Sequence, residues 1–543
     1  MRKRLWLTAP LSLIAVSALA ALLAVTASAK PSAANAGGTL NLASAGADVD
    51  YSDPALAYGV LSWGIEYETC ANLVSYPDKT GAAGSELVPD AAAGMPVISN
   101  GGKTYTFTIR PGIRYSDGAT LKASDFVYAI NRDANPAMQS PVVQFIGDIV
   151  GLNDVVNKKA KTVKGVTAKG NKLTIQLTQP DGALLSKLAM PFFCAVEPSK
   201  TPINPQGVLT LPGAGPYYIA SRTAGKQLVL KKNPYYKGNR PARSSTIVFT
   251  MNTNQEATFL AIKSGQYGLD PNGLDDPNAA QGLAQQYGIN KSRFFVNSLV
   301  ETDYLALNTS RPAYASLAKR KAANYAIDRP ALLRARGYLG GVRTTTLLPK
   351  ALSGGYWGAK IFPIKGADPA KAKSFDPNCG DVTVWGGNTT FAQTQEGIVR
   401  YNLSQMGCKP TVRQFGGFAI YTAAGVKGAD FDMMFTGWNQ DYADPIDFYG
   451  VLLDGRNIHA SNNNNYSYLN SAELNKRIDQ ANVLTGAARL KAFGKLDVWT
   501  ATQLAPFVAI DNRNYRQFLA PNVAGYVFQP AFASVDLGAL YVK

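Results

Sequence analysis

A single histidine, His459, occurs in 543 residues, and that scarcity excludes more than any motif asserts. Ser-His-Asp and Cys-His catalysis are out of easy reach, and no histidine cluster is available for a zinc or nickel site. His459 itself sits in an Asn-rich stretch, where a solvated side chain is expected. Acids are fewer than bases, 37 against 54, giving a net charge of +17. The basic residues are scattered, with no extended run of Lys/Arg interleaved with aromatics after the first residues, so a solvated surface is expected and no nucleic-acid partner. A phosphate loop is also lacking. "SNGGKTY" around Lys103 misses the first glycine and runs into a strand where a helix is required. "SLAK" at 316–319 and "KTG" at 79–81 stand in the wrong order for a penicillin-recognising enzyme. Beyond the first residues, no apolar run is long enough to cross a bilayer.

The first residues differ from the rest. Arg2, Lys3 and Arg4 precede an almost wholly apolar run over 5–25, and "ASA" at 27–29 supplies small residues for cleavage. Residues 1–29 are expected to be a secretory signal peptide, and a second small-residue site, "ANA" at 34–36, blurs the cleavage point. A retained anchor is the alternative, because the run is long enough to span. The remaining chain, 46% hydrophobic and 17% charged over the whole sequence, has ample material for two or three domains outside the cytoplasm. The four cysteines fit an oxidising compartment. Cys379 and Cys408 bracket a strand–helix segment whose two parallel strands would start close together, favouring that pair and leaving Cys70 with Cys194. Four cysteines allow three connectivities, and free buried thiols remain the other reading.

Local patterns are mixed. "GTLNLASA" after Gly37 reads as a first strand. "KTYTFTIR" alternates, with Tyr105, Phe107 and Ile109 on one face. "ASDFVYAINR" starts a helix with Ser124 or Asp125 to cap it, and "KLTIQLTQP" is another alternating strand. In "RKAANYAIDRPALLRARG", Asp328 caps a second helical segment that Gly337 ends. Strands and helices without a fixed period imply an α/β or α+β fold and exclude repeats.

The densest chemistry lies in "DMMFTGWNQDYADPIDFY", residues 432–449. A short apolar run ends at Gly437. Trp438, Asn439, Asp441 and Tyr442 follow, with Asp444 and Asp447 behind. Three carboxylates so close are compatible with a glycosidase pair, but "ADP" and "IDF" have the form of turn and helix-capping acids.

Four segments, in order, then carry a resemblance: "KTYTFTIRPGIRYSDGATLKASDFVYAINR", "GAGPYYI…LVLKKNPYYKG", "YLALNTSRPAYASLAKRKAANYAIDRPAL" and "GWNQDYADPIDFY…YSYLNSAELNKRI". From about Gly37 onwards the chain resembles the family 5 extracellular solute-binding proteins of ABC importers. The resemblance implies an α/β, two-lobed periplasmic-binding-protein-like fold with an extra α+β domain inserted in the first lobe. Carried over, the first lobe comprises 38–60, 190–262 and 505–543, the extra domain 61–189, and the second lobe 263–504.

In peptide-binding relatives, the aspartate of a Trp-x-x-Asp loop pairs with the ligand's α-ammonium, and here that position is Asp441. The resemblance makes Trp438 an apolar wall and a ring face for a cation, and counts Asn439 and Tyr442 of the same loop among the ligand-binding residues. It gives Tyr128, from "DFVY", a contact with ligand backbone, with core packing as its alternative. One departure stands out. Dipeptide binders carry an arginine for the ligand carboxylate after the strand matching "VTVW", whereas this chain has Asn388, Thr389 and Thr390 there. A short zwitterionic peptide is therefore disfavoured, leaving a longer peptide, a cationic compound or a sugar-like solute. The expectation is an exported monomer on the outer side of the cell membrane that binds a small molecule or peptide and delivers it to a membrane permease. It needs no cofactor or metal and has no catalytic residue. The rival readings are a secreted hydrolase using Asp441, Asp444 and Asp447, and a surface receptor or adhesion protein that kept the fold.

Overall fold

A computed structural model of the chain describes residues 37–274 and 276–543; the expected signal peptide, 1–29, lies outside them. Three sheets organise the molecule. The first has the order Thr39–Ala45, Thr246–Thr253, Gln227–Lys232, Tyr217–Thr223, with only its first pair parallel. Alternation decides its faces: Leu40 and Leu42, Leu228 and Leu230, and Ile247 and Phe249 all point into one core.

Between the first and last strands of that sheet the chain makes a separate antiparallel sheet, Val97–Ser99, Thr104–Thr108, Lys172–Gln176, Val166–Lys169. Tyr105, Phe107, Leu173 and Ile175 are buried under the helix Ala123–Ala134, which contributes Phe126 and Ile130. Asp125 holds the helix start by accepting the Lys122 backbone N–H at 2.9 Å and the Tyr115 hydroxyl at 3.0 Å. The inserted domain expected at 61–189 has this sheet at its centre.

The third sheet has seven strands. Its main path runs Phe294–Ser298, Phe507–Phe518, Glu301–Leu307, Met433–Asn439, Gly380–Gly387, Cys408–Phe415, with Gly341–Arg343 beside Phe507–Phe518. Gly380–Gly387 and Cys408–Phe415 are parallel, joined through the helix Thr390–Gln405, and Gly380 lies opposite Cys408. A Cys379–Cys408 disulfide closes this unit with a Cα–Cα distance of 4.8 Å, and Cys70–Cys194 forms the second at 5.3 Å.

Two boundaries differ from the sequence expectation. Residues after 262 do not start the second lobe, because Leu269, Ala280, Leu283 and Phe294 pack in the first-lobe core. Nor does 505–543 belong wholly to the first lobe. The strand Phe507–Phe518 pairs along Phe507–Asp511 with Glu301–Leu307 and along Asn514–Phe518 with Phe294–Ser298. Phe507 and Ala509 fill the second-lobe core, while Phe518 fills the first. The chain thus crosses between lobes in two places, near residue 300 and within 507–518.

Candidate functional site

The loop leaving the central strand Met433–Asn439 lies between the lobes. Its strand is buried at Met433 and Met434 and half-buried from Gly437 onward, as a strand emerging from a core requires. Gly437 is needed there: the Asp303 carboxylate lies where a Cβ would stand. The loop then folds around one carboxylate. Asp447 Oδ2 accepts the Trp438 indole N–H at 3.1 Å and the Asp441 backbone N–H at 2.9 Å. Asp447, in the first turn of the helix Ile446–Leu452, is fully buried, and that burial, followed by the Asp441 charge, pushes its pKa well above the usual range.

Asp444 is bound differently. Arg489 donates to it from Nε at 2.7 Å and from Nη2 at 2.8 Å, and the Ile446 backbone N–H donates at 2.9 Å. Asp444 and Asp447 therefore act as the turn and helix-start acids that "ADP" and "IDF" suggested.

Asp441 is left facing the other lobe. Its Oδ2 accepts the Tyr58 hydroxyl at 2.7 Å, and among the described residues no lysine or arginine pairs with it. Burial raises its pKa to about 7, partly offset by that hydrogen bond. Tyr58 is held well above its own ordinary value by burial and by the Asp441 charge, so it stays a donor. Its position comes from Asp50, which accepts the backbone N–H groups of Tyr58 at 2.8 Å and Gly59 at 2.9 Å just before the helix Val60–Thr69. Trp63 and Phe192 pack on its ring, with centroids 5.7 and 5.8 Å away.

The remaining expected residues divide. Asn439 is half-buried, with an amide oxygen that has no partner. Tyr442, expected at the ligand, instead plugs the core of the inserted domain, edge-on to Phe145 at 6.0 Å with the Lys187 ammonium 5.8 Å from its ring. Next to it, Gln440 donates to the Pro530 carbonyl at 3.2 Å, a second tie across the lobes. Tyr128 donates to the Thr201 carbonyl at 2.7 Å, and among the described residues no hydrogen bond joins it to the Asp441 loop.

No arginine stands in the segment 388–390, and one from another helix lies over its neighbour Phe391. Thr389 caps the helix Thr390–Gln405 by accepting the Ala392 N–H at 3.2 Å, and the first turn presents Phe391. Over that ring, 5.2 Å from its centroid, lies the guanidinium of Arg336, which arrives from the helix Arg329–Arg336. Its charge is already matched by Asp303 and by Asp511 at 3.4 Å. Neither Tyr58 nor Arg336 carries a local sequence signal; each reaches the site only through the packing of distant segments.

Comparison with known proteins identifies the family. The family profile described as bacterial extracellular solute-binding proteins, family 5 middle, matches residues 86–460. A probable D,D-dipeptide-binding periplasmic protein of Escherichia coli strain K12 is 23% identical over 507 residues, covering 90% of this chain and 91% of the relative. The heme-binding protein A of Haemophilus influenzae is 24% identical, covering 82% and 83%. The solved structure of a clavulanic acid biosynthesis oligopeptide binding protein superposes with a TM-score of 0.85 at 23% identity, covering 94% of this chain and 96% of that one. The chain belongs to the family 5 bacterial extracellular solute-binding proteins.

Proposed function

We propose that this chain is the binding component of an ABC importer, working outside the cytoplasmic membrane, and that it captures a peptide or another amine-bearing solute between its lobes. Delivery to a membrane permease by a monomer is part of the same reading. The observation that carries it is the unpaired Asp441 carboxylate, drawn from water between the lobes with one hydroxyl donor and no cation. An ammonium placed there makes a charge-assisted hydrogen bond worth about 1.5–3 kcal/mol. Trp438, fixed by its bond to Asp447, adds ring area beside it.

Relatives named for a dipeptide and for heme share this frame, so the frame alone does not select a ligand. Selection falls to the charges. Arg336 is already neutralised by Asp303 and Asp511, which favours a longer peptide or a cationic solute over a free zwitterionic dipeptide. Ligand contacts made only when the lobes meet would shift the population toward the closed form. No observation favours the hydrolase reading, since Asp444 and Asp447 are engaged in holding the loop.

The test is mass spectrometry of the small molecule that copurifies with the protein, followed by calorimetry of that molecule on wild type and Asp441→Asn. An amine-bearing ligand that binds the variant much more weakly supports the assignment. Equal affinity overturns it, and turnover of the ligand would establish an enzyme instead.

A further inference from the structure

A second concave site lies apart from the interlobe loop. The turn at 110–114, which follows the strand Thr104–Thr108, faces the loop at 235–238, which follows the strand Gln227–Lys232. Between them is a cavity of about 250 Å³, bordered by Asp90, Arg110, Arg114, Tyr235, Tyr236 and Lys237. It shares no lining residue with the Asp441 site.

Three cationic side chains meet one carboxylate here, and that carboxylate is engaged. Asp90 Oδ2 accepts the Asn72 backbone N–H at 2.9 Å and lies 3.5 Å from Arg240 Nη2, behind the cavity wall. Arg110 donates from Nη2 to the Asp90 carbonyl, but its buried Nε has no acceptor. Arg114 lies 6.0 Å from the Tyr235 ring. Among the described residues, Arg110, Arg114 and Lys237 have no ion-pair partner. Like charges gathered on the walls of one concavity focus a positive potential, and an anion relieves it.

We propose that this cavity binds a small oxyanion of the phosphate or phosphate-monoester class. Guanidinium groups match phosphate oxygens through paired N–H donors, and the lysine adds a point charge. The volume exceeds that of a bare ion, since a water takes about 30 Å³ of liquid. There is room for a small organic body against the exposed ring of Tyr235. The phosphate can be free, or presented by a lipid headgroup at an anionic membrane surface.

The experiment uses the full chain at low ionic strength, with calorimetry against inorganic phosphate and against glycerol phosphate. The double variant Arg114→Glu/Lys237→Glu is expected to lose at least about tenfold in affinity with an unchanged melting curve. A second double variant, Arg400→Glu/Lys409→Glu, makes the same charge change on exposed residues of the second lobe and is expected to bind as wild type does. An equal loss in both variants, or no binding by wild type below about 10 mM, overturns the proposal. Vesicles rich in phosphatidic acid separate the sources. Vesicle binding competed by inorganic phosphate identifies a headgroup, and phosphate binding without vesicle binding identifies a free anion.

Discussion

Asp441 and Asp444 stand three residues apart in one loop, yet they are treated in opposite ways. Asp444 is gripped by two donors, Nε and Nη2, along one edge of the Arg489 guanidinium, inside the second lobe. Asp441 points out of that lobe, meets one tyrosine hydroxyl from the other, and has no cation among the described residues. A buried arginine answers one acid, and among the described residues none answers its neighbour, the difference on which the proposed recognition role of Asp441 rests. The paired acid holds the loop's shape, and the unpaired one keeps a cost that an incoming ammonium can offset.

The largest effect is expected from breaking the paired member. Arg489→Met leaves Asp444 buried without its partner and also removes donors from the Asn482 and Leu484 carbonyls. Denaturant unfolding should show a loss of about 3–5 kcal/mol, and adding Asp444→Leu should recover part of it. If Arg489→Met unfolds like wild type, the pair is not holding the loop.

Asp441→Asn acts on the other side of the comparison. Affinity for an amine-bearing ligand should fall by about 1.5–3 kcal/mol, roughly 10- to 150-fold in calorimetry. Acidity should do the same job gradually. With a pKa raised to about 7, Asp441 loses its charge as pH falls below that value, while the ligand's ammonium is unaffected. Affinity should therefore drop by up to about tenfold per pH unit under 7, about 1.4 kcal/mol, and Asp441→Asn should flatten that slope.

Without ligand the sign reverses. Burial raises the folded-state pKa above the ordinary carboxylate value, so the folded protein keeps a proton that the unfolded chain has released. The resulting cost is absent below about pH 4 and complete above about pH 7, so stability from this group falls as pH rises through that window. At pH 8, Asp441→Asn should melt later than wild type by the equivalent of about 1 kcal/mol, less than the full shift implies because the side chain is partly exposed. Tyr58→Phe is the smallest change. It removes the hydrogen bond that lowers the Asp441 pKa, and should weaken amine binding at pH 7 by about 0.5–1.5 kcal/mol.

Much of the framework was legible because its signals are local. The alternation of "KTYTFTIR" becomes the strand Thr104–Thr108, with Tyr105, Phe107 and Ile109 buried. The strand–helix–strand reading between Cys379 and Cys408 gives a parallel pair whose first residues face each other. The loop at Trp438 was legible through its resemblance to peptide-binding relatives, and its acids through turn chemistry. What escaped was set by tertiary packing. Tyr58 lies 383 residues from Asp441 and meets it only because two lobes close on each other. Arg336 occupies the region where a local arginine is absent, but nothing in "LLRARG" says so. The lobe boundaries were displaced because one strand serves both cores, an arrangement that composition and periodicity do not register.

That shared strand also governs the order in which the molecule can be completed. Phe507–Phe518 lies between Glu301–Leu307 and Phe294–Ser298, strands made some two hundred residues earlier. Until it arrives, both have a bare edge, their amides and carbonyls open to other chains, and the second-lobe sheet lacks a central member. Pairings over such sequence separations form slowly. A partly synthesised molecule thus lacks the strand that both cores share, which leaves it exposed to aggregation until that segment is in place.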